Sequence, residues 1–195
     1  MRALLFFALV PACSTPRAAE LGPLSGPRVQ SVPVHVAAGP THVEANWKER
    51  LEQPYVFLEQ RGDYRVLGDV MDRLVAEARA LDLRCDRAPF ALFFDDPGKV
   101  PLGELRSRAC LPVFSKPARL GGLQYELLPR AMVVYARVQG APAVAHAYPA
   151  LFSYLRELGW QAGGPVREVY LMNPSEVGPE GLVTEVQIPW TARPE

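Results

Sequence analysis

The residues with the widest chemical reach lie in two short segments near the C-terminus. Glu168 and Tyr170 stand two apart in Arg167-Glu168-Val169-Tyr170-Leu171, and Glu185 stands in Thr184-Glu185-Val186-Gln187-Ile188. Side chains alternate between the faces of a strand, so Glu168 and Tyr170 share one face. Val169, Leu171, Val186 and Ile188 suit a face covered by helices. The alternation therefore predicts that Glu168, Tyr170, Glu185 and Gln187 point to the uncovered face. A carboxylate beside aromatic rings suits a cationic or polar aromatic ligand, through charge and ring-face attraction. The plainer reading is that both acids are solvated residues on a half-exposed sheet.

A repeat accounts for what positions them. Phe93-Phe94-Asp95-Asp96-Pro97 lies over Tyr170-Leu171-Met172-Asn173-Pro174 at an offset of 77 residues, and the register holds without a gap to Pro112 over Pro189. Running backwards, Leu67, Met71, Leu74, Ala78 and Leu81 lie over Val144, Tyr148, Leu151, Leu155 and Leu158. Both sets have the 3-and-4 spacing of an amphipathic helix. Each copy reads as strand, helix, strand, strand. The first takes strands at 55–60, 90–94 and 106–113, with Asp63 as an N-cap candidate before the helix. The second takes strand regions at 123–128 and 132–139, then 166–172 and 184–189. Its helix opens at Gly140-Ala141-Pro142 and closes at Gly159.

The fold class follows as α+β, with tandem duplicated βαββ units in two layers. One continuous antiparallel sheet carries both helices on one face, and the ligand cleft lies between the units. The repeat also pairs Glu168 with Ala91, Tyr170 with Phe93, and Glu185 with Arg108. Unit one thus offers an apolar aromatic wall and a cation, and unit two offers two carboxylates and a phenol. Trp160 replaces Leu83 just after the helix, so core packing competes with ligand stacking there. Arg108 and Glu185 read either as site residues or as a structural ion pair.

Composition narrows the classes. Lys plus Arg and Asp plus Glu are 21 each, which leaves no basic surplus for a nucleic-acid partner. The chain has no phosphate-cradling Gly-rich loop, no G-x-S-x-G and no zinc-spaced Cys or His pairs, so no cofactor and no metal is expected. His35, His42 and Glu44 are too few for a metal site, and Asp95-Asp96-Pro97-Gly98 reads as a turn. Cys85 and Cys110 read as two thiols rather than a disulfide.

The N-terminus reads as an export signal. Ala3 to Val10 is an apolar run behind Arg2, too short to span a bilayer. Val10-Pro11-Ala12-Cys13 resembles the lipobox of bacterial lipoproteins, with Cys13 as the lipidated residue. The expected organisation is a signal at 1–13, a Pro- and Ala-rich tether at 14–53, a folded domain at 54–190 and a tail at 191–195. Residues 46–54 read as a short helical lead-in. The expected location is the cell envelope, lipid-anchored and facing the periplasm, with a secreted or cytoplasmic product as the alternative.

Four segments in order carry a family resemblance. They are Phe93-Phe94-Asp95-Asp96-Pro97, the helix opening from Gly140 to Tyr148, Arg167-Glu168-Val169-Tyr170-Leu171 with Asn173-Pro174, and Thr184-Glu185-Val186-Gln187-Ile188-Pro189. Together they resemble the GyrI-like family, the bacterial transcription-activator effector-binding domain. The resemblance implies a small-molecule cleft between two βαββ units, often for lipophilic cations, with Glu168 as the pocket acid and Tyr170 beside it. The regulators of this family carry a DNA-binding helix-turn-helix ahead of the domain, and the Pro-rich segment here does not fit one. The expected function is capture of an amphipathic, aromatic or cationic ligand by Glu168, Tyr170, Phe93, Trp160, Arg108 and Glu185, without catalysis. The alternatives are a small-molecule hydrolase with Glu168 as general base and Tyr170 as its partner, and a protein-interaction module.

Overall fold

The computed structural model describes residues 43–192, apart from 86, 173–176 and 178–180. The proposed signal, Cys13, residues 14–42 of the tether and residues 193–195 of the tail lie outside the described residues. The elements run β1 (Asn46–Arg50), β2 (Gln53–Arg61), α1 (Leu67–Ala80), β3 (Phe90–Phe93), β4 (Arg106–Pro112), β5 (Gln124–Leu128), β6 (Ala131–Gln139), α2 (Ala141–Glu157), β7 (Trp160–Ala162), β8 (Val166–Tyr170) and β9 (Val183–Ala192). The segment expected to be a helical lead-in is strand β1. It pairs with β6, Trp47 opposite Val134, and the neighbouring Val43 and Ala45 are buried. The folded part therefore begins some ten residues before the expected position 54. Pairing decides this, because five residues are too few to show a period.

The sheet is antiparallel throughout, in the order β1-β6-β9-β8-β3-β4-β2-β5, with β7 beside the end of β9. The two repeats appear as β2-α1-β3-β4 and β6-α2-β8-β9. Their central strands β3 and β8 pair across a local two-fold axis, with Ala91 opposite its own counterpart Glu168. The sheet cannot be flat. β1 runs into β2 through Leu51 and Glu52 alone, yet the two strands sit near opposite ends of the order. Two residues span too little distance for that unless the sheet curls and brings its ends near each other. Arg167 of β8 reaches across the curl to Gln53, Nη2 to Oε1 at 2.6 Å.

Curling fills both faces. On one, α1 buries Leu67, Val70, Leu74 and Ala78 against Val56, Ala91, Ala109 and Leu111. Under α2, Ala147, Ala150, Leu151 and Leu155 pack on Val134, Ala136, Val186 and Ile188. The helices form because these stripes recur at helical spacing. Gly159, at φ +69°, ends α2 with its N–H on the Arg156 carbonyl. The face turned away from the helices closes on itself over Tyr55, Phe57, Phe90, Leu92 and Cys110. No disulfide joins buried Cys110 to exposed Cys85.

This closed face holds most of the buried charge. Glu185 is 3% exposed and accepts from Lys48 Nζ at 2.6 Å, Arg137 Nε at 2.7 Å and Gln187 Nε2 at 2.6 Å. Arg167 stacks on Phe90, 3.9 Å from the ring centroid, and burial pushes its guanidinium down to about 10. The Nε atoms of Arg50 and Arg167 have no hydrogen-bond partner.

Candidate functional site

The chemistry gathers between the two helices. Glu168 sits opposite Ala91 on one side and Val186 on the other, which sets it on the helix-bearing face. Tyr170 follows on the same face and packs with the α1 core. This corrects the expectation from alternation. Glu168 and Tyr170 do not point away from the helices. They point into the gap between them, and Val169 faces the closed interior.

Two elements, β8 and α2, position the acid. Tyr148, on the α2 stripe, donates its hydroxyl to Glu168 Oε1 at 2.5 Å. Tyr170 donates to Oε2 at 3.2 Å. No Lys, Arg or His among the described residues forms an ion pair with Glu168. Burial pushes the Glu168 carboxyl above the usual range, and the two phenol hydrogen bonds oppose this without cancelling it. Burial, with the neighbouring carboxylate, drives both tyrosines up, so they remain donors.

The cleft has two chambers that share Leu67, Gly68, Glu168 and Tyr170. The larger, about 950 Å³, is walled by Tyr64, Phe93, Phe94, Tyr148, Phe152 and Val166. The smaller, about 530 Å³, is walled by Met71, Val144, Met172 and Leu182. Both volumes fall in the range of small-molecule sites. At the rim of the larger chamber, Asp95 pairs with Arg106 at 2.8 Å and Asp96 with Lys99 at 3.0 Å. Tyr64 steadies this rim by donating to the Asp95 carbonyl at 2.9 Å, its ring 4.9 Å from Phe93. Asp95-Asp96-Pro97-Gly98 is the expected turn, with Gly98 N–H on Asp96.

Of the six residues expected to bind ligand, three meet here: Glu168, Tyr170 and Phe93. Trp160 lines neither chamber. It stacks on Trp190 with centroids 3.5 Å apart, edge-on to Trp47 at 6.2 Å. Arg108 and Glu185 lie on the closed face, and they do not pair with each other. Arg108 bonds Glu59 at 2.9 Å, Tyr55 at 3.0 Å and Glu126, above the Phe57 ring. Glu185 is a buried acid that lines neither chamber, and it is not the solvated residue of the plainer reading. Burial works against its ionisation, but the hydrogen bonds from Lys48, Gln187 and Arg137 outweigh this and hold it below the usual range.

Tyr148, Tyr64, Leu67 and Gly68 are among the cleft residues that sequence reasoning passed over. For Tyr148 a signal was present. It lies over Met71 in the repeat, as Glu168 lies over Ala91. Both exchanges put a polar group where unit one keeps an apolar one. On the helices the lining follows the repeat at three positions: Leu67, Gly68 and Met71 of α1 correspond to Val144, Ala145 and Tyr148 of α2, and all six border the cleft.

Residues 46–190 match the family model of the GyrI-like small-molecule-binding domain. The chain belongs to the GyrI-like family. The match covers β1 to β9, both helices and the whole cleft, so this is a small-molecule-binding domain. Solved structures share the GyrI-like fold at low identity. The C-terminal domain of EcmrR aligns with a TM-score of 0.70 at 17% identity, over 78% of this chain and 100% of that one. EcmrR in its complex with DNA aligns with a TM-score of 0.69, over 77% of this chain but only 58% of that protein. SAV2435 bound to tetraphenylphosphonium aligns with a TM-score of 0.57 at 14% identity, over 76% and 94%. No curated protein matches the chain in sequence.

Proposed function

We propose that this GyrI-like domain captures a lipophilic, aromatic cation between its two helices, with Glu168 as counter-charge. One observation carries the reading. Glu168 is a half-buried carboxylate in an aromatic-walled cleft, whose described hydrogen-bond partners are two phenols and no cation. Removing an acid from water without a cation is costly, and a bound cation offsets that cost. The other acids at the rim of the larger chamber already have partners. Tyr148, Phe93 and Tyr64 supply ring faces, which attract cations by their quadrupoles. The SAV2435 complex with tetraphenylphosphonium makes that cation a fitting probe.

In this proposal the domain is tethered to the cell envelope through Cys13 and does not engage nucleic acid. The sequence of residues 1–13 and the charge balance support this. A second reading keeps the same acid as the general base of a hydrolase. The upward pull on Glu168 favours it, because a carboxyl tuned upward is a better base near neutral pH.

Native mass spectrometry and calorimetric titration with tetraphenylphosphonium test the choice. The cation reading expects a one-to-one complex with micromolar or tighter affinity. An absence of binding to this and related cations, together with Glu168-dependent turnover of a reactive ester or epoxide, would replace it with the hydrolase.

A further inference from the structure

The cleft shows more than a pocket with an acid in it. Its two chambers, about 950 and 530 Å³, meet over Glu168 and Tyr170 on the sheet and over Leu67 and Gly68 on α1. Gly68 is the exposed second residue of α1, and glycine is a poorer helix former than alanine. Nothing in its surroundings requires it. Its φ is not in the left-handed range, and a Cβ built there would meet no atom within 4 Å. Gly68 itself lines both chambers, so a side chain there would start at their junction. The matching residue of α2, Ala145, is also small and borders the larger chamber.

We propose that Gly68 sets the ligand class by keeping the two chambers joined, so that the ligand is a cation with bulky apolar groups on two sides. The charge rests at Glu168, one group fills the space beside Phe93 and Tyr148, and the other passes Gly68 toward Met71 and Val144. A cation with one aromatic group needs only one chamber. A larger residue at 68 overhangs the junction and divides the cleft. This rests on the reading of Glu168 as the counter-charge, and the experiment separates the two.

The probes are tetraphenylphosphonium, with groups on all sides, and benzyltrimethylammonium, with one aromatic group. Each is titrated calorimetrically into the full-length chain and into Gly68→Ala and Gly68→Leu. Both substitutions suit a helix, so the melting temperature should hold or rise. Gly68→Leu should weaken tetraphenylphosphonium about tenfold or more, as expected when bulk is forced into a fitted site, and change benzyltrimethylammonium less than about threefold. Gly68→Ala should fall between. Equal effects on both probes, or none on either, would overturn the role of Gly68 while leaving Glu168 as the cation site. If neither probe binds the unaltered protein, the counter-charge reading fails and takes this inference with it.

Discussion

Replacing Glu168 by Gln separates binding from folding, because the two should move in different directions. The change keeps the shape and removes the charge. A cation about 4 Å from the carboxylate gains about 4 kcal/mol at an effective dielectric of about 20. Desolvation of both groups reduces the gain, while loss of one partner from a desolvated pair commonly costs about 2–5 kcal/mol. A net loss of about 2–4 kcal/mol is therefore expected, or about 30- to 1,000-fold in Kd for tetraphenylphosphonium.

Stability should not follow. Burial raises the Glu168 pKa in the folded state above its unfolded value. The stability linked to its protonation is fully present below the ordinary glutamate pKa and is lost as pH rises through the folded value. Gln, always neutral, avoids that loss, so at pH 7 the melting temperature of Glu168→Gln should equal or exceed that of the unaltered chain. Cation affinity should also fall on acidification through the Glu168 pKa in the unaltered protein and stay flat in the variant. Calorimetry from pH 5 to 8 and thermal melts measure both. Unchanged affinity would remove Glu168 from the site. A fall in melting temperature matching the fall in affinity would make it a structural residue.

Glu185 should behave in the opposite way. Glu185→Gln strands Lys48 and Arg137 and should cost about 2 kcal/mol at pH 7, below the about 3–5 kcal/mol of a fully buried broken pair, because both cations reach solvent. Its folded pKa is depressed, so its contribution is present above the ordinary glutamate pKa and lost as pH falls through the folded value. Urea unfolding at pH 7 and near pH 3 should show the two proteins converging in acid, while tetraphenylphosphonium affinity at pH 7 stays within about twofold. For the anchor, Cys13→Ser in a bacterial host should move the protein from the membrane to the soluble fraction. Equal membrane recovery of both forms would refute lipidation.

The assignment of faces shows where sequence reasoning stops. Alternation placed Glu168 and Tyr170 together, and they are together. It placed them on the uncovered face because Val169 looked like core. Val169 is core, but of the other face, since β8 lies mid-sheet between the helix layer and the closed interior. A strand buried on both sides has no polar side to read. The pairing register would have corrected this, because Glu168 stands beside Val186, whose place under α2 is secure. Arg108 and Glu185 occupy matching positions and so share a face, but separate neighbours satisfy them. Arg108 meets Glu59 and Glu126, and Glu185 meets Lys48 and Arg137.

By itself the sequence determined the duplication, the two helices and the pairing of Glu168 with Tyr170. Each rests on a local period, 77 residues for the repeat, 3.6 for a helix and two for a strand, which side chains reveal without partners. Only the tertiary structure decided that β1 is a strand, that the sheet curls into a half-barrel, that Tyr148 holds the acid and that Gly68 lies at the junction of the chambers. These depend on which strands become neighbours and how far the sheet bends, and long-range pairing energies set both.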